Sequence, residues 1–189
     1  ALAKRWKVLW LEPTTILKKT HFTPIEIEPN IFVLSIPHIP YNARLQWMRK
    51  IALPLSKIKL FRNLLLFVQY QLIHQAIVSI GSKDDDVGIL LYNFHSVQIL
   101  KKLNPRFIIF DYIDNVFGFA SMPQHVTKSW EEAIRIADVV TVTSPTLAKL
   151  IEPIRKENVV HLGNGVEFEH FAFKEKLSAP DDLPKGKPI

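Results

Sequence analysis

From residue 88 onward, short unbroken apolar runs alternate with stretches of helical period. GILLYN (88–93), RFIIFDYID (106–114), DVVTVTS (138–144) and NVVHLGNG (158–165) are the runs, and each has the length and β-branched content of a buried strand. Between them, residues 97–103, 124–137 and 145–151 predict helices. Asn104-Pro105 ends the first, and Ser144 with Pro145 supplies an N-cap and a first-position proline for the last. Continuously apolar strands separated by helices predict an α/β domain: a Rossmann-like parallel sheet with helices on both faces.

The first 87 residues are less regular. KVLWLE (7–12) predicts a strand that stops at Pro13, and IFVLSIP (31–37) a second, bounded by Pro29-Asn30 and Pro40. Residues 45–52 and 55–80 predict helix, interrupted at Pro54 and closed by Gly81. Residues ahead of Lys7 read as the tail of a helix, so a strand and most of a helix are expected upstream. The Lys-, Pro- and Asp-rich residues 174–189 read as a linker, which leaves residues 1–173 as the folded domain.

In open parallel sheets, ligands sit beyond the carboxyl ends of the strands. That rule gathers Asn93, Phe94, His95, Asp111, Asp114, Ser144 and residues 163–165 along one edge. Asp111 and Asp114 could orient hydroxyls or act as bases there, and they equally suit loop amides and turn caps. His95 would add a group that titrates near neutrality. His74, within a helix, and His161, within a strand, read as packing residues.

Composition removes several chemistries. The 189 residues contain no cysteine, which excludes disulfides and thiolate metal sites, and the histidines lack metal-ligand spacing. Neither a GxGxxG fingerprint, a P-loop nor a serine elbow occurs, so no cofactor is indicated.

Charge adds a regional feature. No acid lies between Glu28 and Asp84, where Arg44, Arg49, Lys50, Lys57, Lys59, Arg62 and Lys83 all fall. Of the 24 bases, 17 then remain elsewhere against 18 acids. With Trp47 and Phe61 interleaved, the segment predicts contact with an anionic membrane surface through Arg44, Trp47, Arg49, Lys50, Lys57, Lys59 and Arg62. The competing assignment is a core-packed helix with a solvated basic side. No nucleic-acid-binding module is recognisable.

WEEAIRIADVVTVTSPTLAKLI (130–151) followed by VVHLGNGVEFEHF (159–171) resembles the family 4-like glycosyltransferases of the GT-B fold. Ala137-Asp138, Ser144, Asn164-Gly165-Val166 and Phe171 match that pattern, while Glu167 stands where Asp is usual. FDYIDNVFGF (110–119) and LAKRWKVLWLEP (2–13) resemble stretches of a subgroup that makes cell-surface polysaccharides. The resemblance implies the acceptor-side N-terminal domain of a retaining, nucleotide-sugar-dependent enzyme whose donor-binding domain lies outside this sequence. His95, Asp111 and Asp114 would be its catalytic groups, and Asn93, Asn115, Ser144, Asn164 and Gly165 would bind substrate. A glycan or lipid-linked acceptor, at the cytoplasmic face of the membrane, is the implied partner. The alternative is a non-catalytic Rossmann-like module that docks on an anionic membrane or on a partner protein.

Overall fold

The computed structural model describes residues 2–14, 20–38, 50, 54–55, 58–82, 86–92, 94, 97–118, 124–166, 168 and 172. Its strands are β1 (Val8–Pro13), β2 (Ile25–Glu28), β3 (Ile31–Ile36), β4 (Gly88–Leu91), β5 (Phe107–Tyr112), β6 (Val139–Val142) and β7 (Val159–His161). Its helices are α1 (Lys59–Ser79), α2 (Val97–Leu103), α3 (Gln124–Ile136) and α4 (Pro145–Ile151). Two sheets form, ordered β1-β3-β2 and β4-β5-β6-β7, and the second is parallel throughout. The α/β, Rossmann-like parallel architecture expected from the sequence is therefore present.

Strand β2 was not anticipated. IEIE is half charged, and its pairing is set by the neighbour: the Pro29-Asn30 turn folds it back antiparallel on β3. Asn30 adopts φ 64°, a left-handed conformation that asparagine tolerates, and its N–H donates to Glu26 Oε1 at 2.9 Å. Asn104, at the end of α2, and Asn158, ahead of β7, have positive φ as well. Gly81 closes α1 at φ 78°, where its N–H reaches Val78 O and Ser82 N–H reaches Ile77 O. The helix starts at Lys59, four residues later than the sequence suggests. Most of the predicted helix over 45–52, and the linker over 174–189, lie outside the described residues.

Each strand of the parallel sheet has two rows of side chains, and they meet different surroundings. Leu91, Ile108, Phe110, Tyr112, Val140 and Val142 are buried beneath Val97 and Leu100 of α2, Trp130, Ala133 and Ile134 of α3, and Leu147 and Ile151 of α4. A second cluster joins the sheets: Leu34 and Ile36 of β3, Ile73, Ala76 and Ile77 of α1, and Ile99 and Leu103 of α2, with Ile89 touching both clusters. The opposite row is less covered: Leu90, Tyr92 and Phe107 are exposed, while Ile109, Asp111, Val139 and Thr141 are half-buried. Among the described residues, then, α1 to α4 share one side, and the helices expected on both faces of the sheet are found on one only. The reason lies in the strand order. Right-handed crossovers that always step in the same direction, from β4 through to β7, deliver every connecting helix to one face.

Gly88 is required by this less covered row. A Cβ there would run into the ring of Phe107, its register partner on β5. Lys7 Nζ, ahead of β1, donates to Ile80 O at 2.5 Å, so the end of α1 lies beside the start of β1. Trp10 and Tyr92 meet on the exposed side with ring centroids 6.1 Å apart.

Candidate functional site at the carboxyl ends of the parallel strands

The rim is tied together by threonine. Past β6, Thr143 Oγ1 donates to Ile113 O at 2.6 Å, linking the exits of β5 and β6. His161 Nε2 lies 3.3 Å from Thr143 O, and Leu162 N–H donates to Val142 O at 2.9 Å, which brings in the exit of β7. His161 is exposed at this rim, so its assignment as a packing residue is corrected. It ends the three-residue strand, with its ring beside the Thr143 carbonyl and outside both buried clusters. Phe94, expected at the edge, is instead buried in the main cluster.

The predicted site residues divide by environment. Asp111 sits on β5 in the row facing away from the helices, half-buried, and Thr141 Oγ1 of β6 donates to its Oδ1 at 2.5 Å. The register that sets Asp111 opposite Thr141 creates this pair. Asp111 therefore braces two strands on the exposed face, below the rim rather than on it. Asp114 is exposed in the turn after β5 and is the carboxylate most open to a ligand there.

Asn115, also exposed, accepts the Phe117 N–H on Oδ1 at 3.1 Å, an Asx-type turn that opens the 3-10 turn Val116–Gly118. Ser144 Oγ accepts the Leu147 N–H at 3.3 Å and caps α4, as its sequence position predicted. Asn164 and Gly165 are exposed past β7, and nothing lies within 4 Å of where a Cβ on Gly165 would be. Asn93 and His95 lie outside the described residues.

Of the basic segment, Arg44, Trp47, Arg49 and Lys57 also lie outside them, while Lys50, Lys59 and Arg62 are exposed. Among the described residues no group of three metal-ligating side chains occurs. Beyond β3, partial burial holds the His38 imidazole below its ordinary pKa, which favours the neutral ring.

Two polar residues that sequence reasoning did not single out as structural hold the frame beneath the rim. Asp138 Oδ2 accepts the Ile108 N–H at 2.7 Å, and Asp138 N–H donates to Ile108 O at 2.8 Å, so β6 is keyed to the start of β5. Arg155 spends its guanidinium on main-chain carbonyls: Ile134 at 3.0 Å, Ala137, Asp138 at 2.8 Å and Glu157 at 2.7 Å. One side chain thus stops α3 and fixes the approach to β7. A lone Arg in a polar turn carries no sequence signal of that role. Asp138, beside Ala137 in the matched pattern, did carry one.

The rim can offer a carboxylate from Asp114, an imidazole from His161 and the open backbone around Gly165, on strands locked in register by Thr141, Thr143 and Asp138. Such an arrangement suits hydroxyl-bearing ligands, which need acceptors and donors held at fixed spacing. Compared with known proteins, the chain matches no family model and no curated protein.

Proposed function

We propose that the chain is the acceptor-binding domain of a retaining, nucleotide-sugar-dependent glycosyltransferase that makes cell-surface glycans or glycolipids. One observation carries most weight: Asp114, Ser144 and Asn164-Gly165, which stand in the stretches resembling that family, emerge from consecutive parallel strands β5, β6 and β7. In this reading Asp114 accepts a hydrogen bond from the acceptor hydroxyl and orients it toward the donor's anomeric carbon. Asp111 serves as a positioning residue through Thr141. The nucleotide-sugar belongs to a second domain outside this sequence.

Amide chemical-shift mapping on the 189-residue chain tests the reading. Oligosaccharide acceptors should move the amides of Asp114, Asn115, Ser144 and Gly165, whereas a nucleotide-sugar should move none. Tight nucleotide-sugar binding, or acceptor shifts elsewhere only, would overturn it. In the complete enzyme Asp114→Asn should lower turnover by roughly 100-fold while leaving the fold intact, the scale of losing one positioned proton-transfer or orienting group. Near-normal turnover would reduce Asp114 to a turn residue.

The alternative is a non-catalytic docking module. It gains support from Asp111, Asn115 and Ser144, each of which has a local hydrogen-bonding task of its own. An absence of any acceptor-induced shift would favour this second reading.

A further inference from the structure

Helix α1 has two apolar faces. Ile73, Ala76 and Ile77, with the buried Gln69, turn toward the sheets, and Gln69 Nε2 donates to Pro37 O at 2.5 Å. Leu60, Leu64, Phe67 and Val68 fall at the i, i+4, i+7, i+8 spacing of a separate stripe, and they are 78%, 59%, 52% and 38% exposed. The stripe occupies the first turns only; Gln71 and Gln75 continue the same face. It covers roughly 12 Å of helix at 1.5 Å per residue.

The chemistry around the stripe selects the partner. The first turn of α1 contains no acid, although acids are the residues a helix N-terminus favours, and it holds Lys59 and Arg62 instead. Both are exposed, and Lys50 is exposed upstream. No acid occurs anywhere from residue 29 to residue 83. Positive charge is thus stacked where the helix's own dipole is already positive, beside half-exposed Leu and Phe. A surface that offers both phosphates and acyl chains complements that combination. No helix among the described residues is long and apolar enough to cross a membrane.

We propose that the outward stripe of α1, Leu60, Leu64, Phe67 and Val68, inserts in the plane of an anionic lipid bilayer, with Lys59 and Arg62 on the headgroup phosphates. The long basic side chains keep their charge at the headgroup level while their methylenes lie along the apolar stripe. The inference stands on α1 by itself and does not rest on the sugar-transfer reading.

Because the chain has no cysteine, single labels report position cleanly. An environment-sensitive fluorophore on Phe67→Cys should brighten with phosphatidylcholine vesicles containing about 30% phosphatidylglycerol and stay dim with phosphatidylcholine alone. The same label on Glu152→Cys, exposed at the end of α4, should not respond. In co-sedimentation, Leu64→Ser with Phe67→Ser should lower partitioning by about tenfold or more at low and high salt alike, since apolar burial is lost. Lys59→Gln with Arg62→Gln should lower it about tenfold near 0.1 M salt and little at high salt, where the charges are screened.

All five substituted positions are exposed, and an unchanged circular dichroism spectrum confirms folding in each variant. Equal brightening at positions 67 and 152, equal partitioning to neutral and anionic vesicles, or unaltered partitioning of the serine variant would each overturn the proposal. So would a dimer in light scattering that the serine substitutions dissociate while vesicle binding is absent, because the stripe would then belong to a second copy.

Discussion

The two sheets of this molecule both contain strongly apolar strands, β1 and β3 in one and β4 to β6 in the other, and are buried very differently. In the β4–β7 sheet, one row of side chains is sealed: Val140 and Val142 are inaccessible and Phe110 is 1% exposed. In the β1–β3 sheet only Leu34, Ser35 and Ile36 of β3 are buried, β2 is exposed along its whole length, and Trp10 of β1 is half-exposed. The connections explain the contrast. Crossovers from β4 to β7 each contain a helix of 7 to 13 residues that folds back over the strands it joins. In the other sheet the connection from β2 to β3 is a tight turn, which brings no cover, and among the described residues β3 is covered by α1 with Ile99 and Leu103 of α2. An apolar strand is buried when a crossover returns over it; its own composition does not decide the matter.

The sharpest test of that contrast pairs two core-like residues. Phe110→Ala should cost about 3–5 kcal/mol in urea unfolding, because a large aromatic is removed from a closed cluster. Ile27→Ala on the exposed β2 should stay within about 0.5 kcal/mol, as for surface substitutions generally. Comparable losses would mean that the two sheets are equally sealed in solution.

Arg155→Ala should come next, at about 2–3 kcal/mol, since it strands the carbonyls at the end of α3 and frees the approach to β7. Arg155→Lys should recover little of this, for a single ammonium cannot span carbonyls from four residues. By comparison Arg135, paired with Glu131 at 3.8 Å on the solvent side of α3, should contribute under about 0.5 kcal/mol. A loss at Arg135 equal to that at Arg155 would break the distinction between a main-chain clamp and a surface pair.

The rim yields a smaller effect. Asp111→Ala removes the acceptor of Thr141 and should destabilise by about 1 kcal/mol, and Ser144→Ala should do the same by uncapping α4. Asp114→Ala should leave the unfolding midpoint nearly unchanged. A stability loss at Asp114 matching that at Asp111 would make both residues structural and would remove the main support for a ligand-facing carboxylate.

Much of this was legible before any coordinates. The apolar runs located β4 to β7, and Pro145 with Ser144, Asn104-Pro105 and Gly81 marked helix ends where the structure has them. These are local signals, written in backbone preferences that a residue carries wherever it stands. They failed at β2, whose alternation of Ile and Glu forms a strand only because β3 lies beside it, and at Arg155, whose targets are separated from it by up to 21 residues.

For the candidate site, the amino-acid sequence determined which residues follow each parallel strand, and so which could share an edge. Only the tertiary structure decided how they are used. Strand register turned Asp111 toward Thr141 on the exposed face, and chain direction left Asp114 open at the turn. The surface of α1 was decided in the same way. Its sequence is apolar around nearly the whole circumference, and only docking against β3 and α2 determined which stripe became core and which remained outside. A helix can bury one side against a sheet, so the choice between two apolar stripes belongs to packing geometry, which no local pattern encodes.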